Sequence, residues 1–156
     1  MKKLNELDLK ILRRLTTNAR VPLRDVAEGE NSSRSSVNQR LTRMIENGVL
    51  TSLKYHVNPK KIGYNTRTSV GVSLERGSLY KEVAERMREI PEIVECHFTT
   101  GPYTMLIKLY AIDNNDLMRI LNGIIQSIPG VVATETLISL DVRFERSIHI
   151  PDHLPQ

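Results

Sequence analysis

The segment Ser33–Asn47 combines hydrogen-bonding and cationic side chains at helical spacing. Four apolar residues recur at the interval that places them on one face of an α-helix: Val37, Leu41, Met44 and Ile45. The remaining surface is polar, and the positive end of the helix dipole lies at its N-terminus. Such a helix can hydrogen-bond to base edges and contact phosphates in a DNA groove. The side chains predicted to contact DNA are Arg34, Ser35, Ser36, Asn38, Gln39, Arg40, Thr42 and Arg43.

The chemistry of these side chains predicts what each of them contacts. Gln39 suits adenine, and Arg40 or Arg43 suits guanine, because each can form two hydrogen bonds to that base in the major groove. Arg34 and Ser35 are better suited to phosphates. Four basic residues elsewhere in the first half are also predicted to contact phosphates: Lys10, Arg13, Arg14 and Lys54. An ordinary solvated helix face has the same composition, so the flanking sequence must decide between the two interpretations.

The residues before this segment predict two further helices. The first runs from Asn5 to Thr17, with Asn5 as its N-cap and an apolar stripe at helical spacing. Leu9 lies off that stripe, so we expect another surface, such as a partner subunit, to cover it. The second helix, Leu23–Glu28, follows Pro22 and ends at a turn over residues 29–32. This order predicts a helix-turn-helix, with a three-helix interaction module as the alternative.

The ends of the third helix also have sequence signals. Ser33 suits the N-cap, because its hydroxyl can accept from the free N–H groups of the first turn. Gly48 suits the left-handed position that follows a helix. Val49–Val57 then predicts a strand that could form a small ribbon, or wing, because it contains β-branched and aromatic residues.

The charge is unevenly distributed along the chain. Residues 1–63 contain 13 basic and 6 acidic side chains, whereas the remainder contains 9 basic and 12 acidic ones. The first part is therefore suited to a polyanion, and the second part to a different task.

The second half repeats a strand-helix-strand order. Thr66–Leu74 alternates as a strand, the next residues have helical spacing up to Pro91, and Ile93–Thr100 is a second strand. Tyr103–Ala111, a helix capped by Asp113, and Val131–Val142 repeat the pattern. Two such halves predict the ferredoxin-like βαββαβ fold.

One face of the predicted sheet is left without helices. Thr66, Thr68, Val70 and Val72, or the residues that alternate with them, need a cover there. A second copy of the domain is the simplest cover, and a polar solvated face is the alternative.

The composition argues against several other classes of protein. No apolar run approaches the roughly 20 residues that span a bilayer, and the N-terminus lacks the apolar segment of a signal peptide. The single Cys96 fits a reducing compartment, so we expect a cytoplasmic protein. His149 and His153 have metal-ligand spacing, but Pro151 lies between them and opposes a helix. We predict no cofactor, no metal and no catalytic residue.

Several short motifs in a fixed order resemble the Lrp/AsnC, or feast/famine, family of transcriptional regulators over nearly the full length. The motifs are Leu7-Asp8-Leu9-Lys10-Ile11-Leu12, Ala19-Arg20, Glu46-Asn47-Gly48-Val49-Leu50, Asn58-Pro59, Ile62-Gly63-Tyr64, Thr100-Gly101 and Ile128-Pro129-Gly130-Val131. The resemblance implies an α+β protein, in which an N-terminal winged helix-turn-helix domain is joined to a C-terminal ferredoxin-like αβ-sandwich domain.

The resemblance also implies function and partners. Family members bind operators in double-stranded DNA near promoters, form dimers that assemble into larger rings, commonly octamers, and often sense amino acids between dimers. The corresponding turn here has several hydroxyls and backbone donors but lacks the family's acid, and a plain β-turn is the alternative. The effector residues expected from this resemblance are Thr99, Thr100, Gly101, Pro102, Tyr103 and Thr104.

The expected domain organisation has four parts. Residues 1–58 form the DNA-binding domain, 59–64 a hinge, 65–145 the effector and oligomerisation domain, and 146–156 a tail. A ligand-binding oligomer that acts without DNA is one alternative function, and a dimeric α/β-barrel enzyme is another.

Overall fold

The structure is a computed structural model that describes residues 4–51 and 55–154. The chain divides into two compact units. Unit 1 comprises Met1–His56 together with Phe144–Gln156, and unit 2 comprises Val57–Arg143. Each unit contains its own hydrophobic core. The two ends of the chain therefore belong to the same unit.

The described residues of unit 1 form three helices in the predicted order. They are α1 (Glu6–Thr17), α2 (Leu23–Gly29) and α3 (Arg34–Glu46). Asn5 caps α1, as predicted, because its side-chain oxygen accepts a hydrogen bond from the backbone N–H of Asp8 at 3.1 Å. The Asp8 carboxylate accepts in return from the backbone N–H of Asn5 at 3.0 Å, which completes a capping box.

The core of unit 1 is formed by apolar residues from all three helices. Leu9 lies inside it with 3% of its surface exposed, so the prediction that another surface covers Leu9 is wrong. The buried face of α1 is wider than the apolar stripe predicted from sequence, because the three-helix bundle covers more than one side of this helix. The buried members of the core are Leu9, Ile11, Leu12, Val26, Ala27, Val37 and Met44.

The strand predicted over Val49–Val57 is not formed in the described part of that segment. Residues 49–51 and 55–57 are bends and irregular structure, and residues 52–54 lie outside the described part of the chain. Val49 and Leu50 instead pack against the core of unit 1. Part of the segment that predicted a strand therefore packs against the core of unit 1 instead.

Unit 2 contains a four-stranded antiparallel sheet. The strands are β1 (Thr66–Leu74), β2 (Ile93–Phe98), β3 (Met105–Ala111) and β4 (Val131–Ile138), in the spatial order β2-β3-β1-β4. The helices are α4 (Tyr80–Arg88) and α5 (Asn114–Met118). This order confirms the ferredoxin-like prediction. The last strand is shorter than predicted, because regular pairing ends at Ile138.

The helix of the second strand-helix-strand unit ends less regularly than the helix of the first. Asp113 caps α5, as predicted, by accepting from the backbone N–H of Asp116 at 2.8 Å. The helix then continues as a π-helical turn over Arg119–Ile124 and a 3-10 turn over Ile125–Ser127. Asp113 therefore begins a helical segment that reaches Ser127.

The predicted internal repeat is visible in equivalent hydrogen bonds. The backbone N–H of Ile93 donates to the carbonyl of Ile90 at 3.1 Å, and the N–H of Val131 donates to Ile128 at 3.0 Å. Ile90 and Ile128 are both buried. The same isoleucine-proline exit thus connects each helix to its following strand.

The alternation of β1 determines which sheet face is open. Thr66, Thr68, Val70 and Val72 are buried under the helices. The alternating residues of β1 face the other way, and their partners on the adjacent strand are Leu106, Lys108 and Tyr110. The sheet face without helices is therefore formed by these alternating residues and their neighbours, and it contains both apolar and polar side chains.

The C-terminal tail packs against the core of unit 1. Ile150 and Leu154 are partly buried against that core. The Arg13 guanidinium pairs with the Asp152 carboxylate at 2.8 Å and donates to the carbonyl of Pro151 at 3.3 Å. The tail is therefore held by apolar contacts and by one side chain of α1.

We expect Ile150→Ser to lower the free energy of unfolding of unit 1 by about 1–2 kcal/mol, because it removes partly buried apolar surface. Ile148→Ser is the matched control, since Ile148 is 81% exposed. Urea denaturation followed by far-UV circular dichroism measures both. Equal stability of the two variants would show that the tail does not support the core.

Candidate nucleic-acid interface and ligand-binding turn

The turn before α3 has the geometry of a helix-turn-helix. Asn31 has a positive φ of 48°, which asparagine tolerates better than most residues. The Ser33 hydroxyl accepts from the backbone N–H of Ser36 at 3.1 Å and caps α3, as predicted. Gly48, with φ 68°, follows the end of the helix, also as predicted. Local sequence thus defines both ends of α3.

The inner face of α3 is narrower than the apolar stripe in the sequence. Val37 and Met44 are fully buried, and Leu41 is half-buried. Ile45 is 51% exposed, so the prediction that it faces inward is wrong. Val37 and Met44 are the members of α3 that are buried in the core of unit 1, and Ile45 lies outside that buried set.

Five of the eight predicted DNA-contacting side chains are exposed on one surface of α3. No acidic residue occupies the first turn of this helix. Ser36 is half-buried, and its backbone N–H is used by the cap. The exposed surface is therefore polar, and its first turn carries only positive charge. Its members are Arg34, Ser35, Asn38, Gln39 and Thr42.

The other two predicted residues, Arg40 and Arg43, are held against α1 by Asp8. Arg40 Nη1 lies 2.8 Å from Asp8 Oδ1. Arg43 Nη2 lies 2.8 Å from both carboxylate oxygens. The Asp8 side chain is 1% exposed, whereas those of Arg40 and Arg43 are 23% and 31% exposed. Whether either arginine contacts a base stays a prediction, but in this structure both contact Asp8.

The surroundings of Asp8 favour its ionised form. Burial raises the pKa of this carboxyl, but the hydrogen bonds from the Asn5 backbone and Arg40 outweigh that effect. The positive charges of Arg40 and Arg43 add to them, so the pKa lies below its usual range. In sequence, Asp8 is an acid in the first turn of the predicted helix, a position that the helix dipole favours. Its partners lie 32 and 35 positions away, beyond the reach of a local pattern.

The predicted phosphate contacts outside α3 are engaged in surface ion pairs. Lys10 pairs with Glu6 at 2.8 Å, Arg14 with Glu30 at 2.6 Å, and Arg13 with the tail. Exposed pairs of this kind contribute little stability and exchange readily for other anions. Lys54 lies outside the described residues.

The predicted effector turn between β2 and β3 is braced by hydrogen bonds. The Thr99 hydroxyl donates to the carbonyl of Tyr103 at 2.9 Å, and the backbone N–H of Leu74 donates to the Thr104 hydroxyl at 3.3 Å. Gly101 has φ 127°, a conformation that favours glycine. The turn is therefore ordered, and two of its hydroxyls are already in use.

Two residues that the sequence analysis missed complete the surroundings of this turn. The Tyr103 ring lies directly over Gly71, where an added Cβ would come within 2.5 Å of the ring. A hydrogen bond to the Glu135 carboxylate raises the pKa of the Tyr103 hydroxyl. A glycine inside a strand indicates such a close approach, but Glu135 has no local signal. Glu135 on β4 is thus an acid beside the Tyr103 hydroxyl.

The histidines form no metal site in the part of the chain that the structure describes. No group of three or more potential metal-binding side chains occurs among those residues. His97 is exposed beside Glu95, with Nε2 at 3.7 Å from the carboxylate. His149 and His153 lie in the irregular tail.

The fold and the exposed polar face of α3 define a helix-turn-helix protein with a second, ferredoxin-like α+β unit. The family model described as winged helix-turn-helix DNA-binding matches residues 4–51. The model described as the Lrp/AsnC ligand binding domain matches residues 68–148. The chain belongs to the Lrp/AsnC family of transcriptional regulators, which confirms the resemblance stated from sequence.

Individual relatives match over almost the whole chain. The HTH-type transcriptional regulator FL11 of Pyrococcus furiosus is 34% identical over 142 residues, which cover 91% of this chain and 93% of the relative. The solved structure of Escherichia coli AsnC has a TM-score of 0.88 at 29% identity and covers 94% of this chain and 98% of that one. The feast or famine regulatory protein from Mycobacterium tuberculosis, complexed with L-methionine, has the same fold, with a TM-score of 0.89 at 23% identity over 96% and 100% of the two chains.

Two of the broader predictions concern enzymatic activity and membrane spans. Its members are regulators of transcription, which confirms that the chain is not an enzyme. Among the described residues, no helix has both the length and the apolar character needed to cross a membrane.

We expect Asp8→Asn to lower the free energy of unfolding by about 3 kcal/mol near pH 7, because it leaves two arginines without their buried partner. The folded-state pKa of Asp8 is depressed, so its contribution is present above about pH 4 and is lost as the pH falls through the folded-state pKa. The difference between wild type and variant should therefore shrink on acidification. Urea unfolding at pH 7 and pH 3 measures it, with Asp25→Asn at an exposed position as the control. A difference that stays constant or grows would contradict the ionised assignment.

Proposed function

We propose that this regulator contacts double-stranded DNA through the outer face of α3, at operators near promoters. The single observation that carries this proposal is the polar α3 surface, whose first turn has a cation and no acid. The surface proposed to contact DNA consists of Arg34, Ser35, Ser36, Asn38, Gln39, Arg40, Thr42 and Arg43.

The exposed side chains of this surface differ in whether they can distinguish one base from another. Gln39 is exposed at the centre of α3 and can form two hydrogen bonds to adenine. Asn38 and Thr42 flank it. Arg34 lies in the first turn, beside the positive end of the helix, and suits a phosphate. Sequence preference then comes chiefly from Gln39, whereas Arg34 supplies affinity for any duplex.

The regulator acts, in this proposal, as a homodimer that assembles further, as in an octamer. Two copies of α3 then enter successive major grooves roughly 34 Å apart. The sheet face without helices supports the dimer, because a second sheet is the simplest cover for its apolar residues, which include Leu106 and Leu137. The proposal includes a cytoplasmic location, because the single Cys96 fits a reducing compartment.

The turn over residues 99–104 is the proposed effector site. The related Mycobacterium tuberculosis structure contains L-methionine, which makes a free amino acid the first ligand class to test. Thr99, Thr100, Gly101, Pro102, Tyr103 and Thr104 would supply hydroxyls and backbone donors. Glu135, beside Tyr103, is the acid available to a ligand ammonium group.

We expect Gln39→Ala to weaken binding to a selected operator by about 1–3 kcal/mol and to relax preference at one base position. Arg34→Ala should instead weaken operator and unrelated duplexes alike and reduce the salt dependence by about one ion. The operator is obtained by selection from a random duplex pool, and affinities follow from fluorescence anisotropy at several salt concentrations. If both variants bind every duplex as wild type does, α3 does not contact DNA.

We expect isothermal calorimetry with the standard amino acids to detect at least one ligand. Gly71→Val should abolish that binding, because a side chain at this position displaces the Tyr103 ring from the sheet. Gly123→Ala is the matched glycine control, since an added Cβ there meets no atom within 4 Å. Retention of binding by Gly71→Val, or its loss in Gly123→Ala, would place the ligand elsewhere. Heats at the level of buffer for every amino acid would remove this class of effector.

A further inference from the structure

The Asp8 carboxylate is a buried charge that lies between α1 and the recognition helix α3. Asp8 is 0% exposed and belongs to the first turn of α1. Nothing in the core of unit 1 requires an acid at this position, because the other buried members of that core are apolar. Burying a carboxylate is costly unless charge and hydrogen bonds compensate it. The compensation comes from α3, the element that carries the DNA-contacting face.

The contacts form a clamp between the two helices. Both oxygens of Asp8 accept from Arg43, and Oδ1 also accepts from Arg40, each at 2.8 Å. Arg40 Nη1 additionally donates to the Asn5 side chain at 3.0 Å. Asn5 and Asp8 are themselves joined by the capping box. Two arginines one turn apart on α3 are thus fastened to the rigid first turn of α1.

We infer that Asp8 is a positioning residue for DNA recognition, which sets the rotation of α3 through Arg40 and Arg43 and keeps both guanidinium groups off the base edges. This inference rests on the proposed function, because it concerns the same α3 surface. It also assigns different roles to the residues of that surface. Arg40 and Arg43 orient the helix, and the exposed amide and hydroxyl side chains beside them contact the bases.

The free-energy balance favours this division of roles. An arginine that turned toward guanine would gain two hydrogen bonds to the base. It would also leave a buried carboxylate with one partner fewer, and an incompletely paired buried charge is strongly destabilising. The cluster as a whole carries one net positive charge, since it contains two arginines and one aspartate. It therefore still attracts phosphate at longer range without either arginine leaving Asp8.

A positioning role and a purely electrostatic role predict opposite signs for Asp8→Asn. The substitution removes a negative charge near the DNA-contacting face, so electrostatics alone predicts tighter binding to every duplex. If Asp8 sets the rotation of α3, the selected operator is bound more weakly, while binding to unrelated duplexes stays the same or becomes tighter. The ratio of the two affinities distinguishes the roles.

The experiment measures the affinity of the full-length protein for its selected operator and for a scrambled duplex, at several salt concentrations. For Asp8→Asn we expect at least about a tenfold loss of operator affinity and no loss for the scrambled duplex, equivalent to about 1.4 kcal/mol of specificity. Arg40→Lys and Arg43→Lys retain the charge but lose the fork geometry that holds the carboxylate. Each should lower the operator affinity and leave the ranking of bases at every operator position unchanged.

Val26→Ala is the control for lost stability, because Val26 is a buried apolar residue of α2 whose side chain cannot form a hydrogen bond or ion pair with Asp8. Its affinity ratio should equal that of wild type, with all proteins assayed below their unfolding temperatures. If Asp8→Asn does not fold, the two lysine variants decide the question.

Three results would overturn the inference. The first is an Asp8→Asn protein that binds the operator as tightly as wild type or more tightly. The second is a change of base preference at a single position in either lysine variant, which would make that arginine a base-reading residue. The third is an equal loss of the affinity ratio in Val26→Ala. Failure of the proposed function gives a different result, because wild type would then bind no duplex and Gln39→Ala would change nothing.

Discussion

A carboxylate without solvent needs positive partners, and this requirement connects the structure of unit 1 to its task. Asp8 lies in the first turn of α1, and the only cations within hydrogen-bonding distance among the described residues are Arg40 and Arg43. Satisfying the buried charge therefore sets the rotation of α3 about its axis. That rotation decides which side chains face solvent. Val37 and Met44 are buried on one side, and Gln39 and its neighbours are exposed on the other.

The two units of this regulator have different folds. Unit 1 presents a basic polar helix on a small apolar bundle, and its core is extended by the tail. Unit 2 presents an antiparallel sheet with helices on one face and an ordered turn between β2 and β3. The excess of basic residues in the first 63 positions and of acidic residues afterwards follows this division. The chain returns to unit 1 at Phe144, so the units are joined by two stretches of chain.

Local signals predicted much of this fold. Asn5, Ser33 and Asp113 were identified as caps, because a cap depends on hydrogen bonds within one helical turn. The βαββαβ order followed from the alternation of the strands and from the repeated strand-helix-strand pattern. Long-range choices were not predictable. The stripe of α3 includes Ile45, but the width of the covered face depends on how α1 and α2 pack. The first-turn position of Asp8 is evident from sequence, but its two partners depend on how α1 and α3 pack.

Asp8 keeps Arg40 and Arg43 on α1 while α3 contacts DNA, and a crystal structure of the dimer on its selected operator can show whether it does. We expect both arginines to stay within about 3 Å of the Asp8 carboxylate, the distance of a charged hydrogen bond, and the Gln39 amide to lie on a base edge. An operator complex in which Arg40 or Arg43 has left Asp8 and forms two hydrogen bonds to a guanine would contradict it.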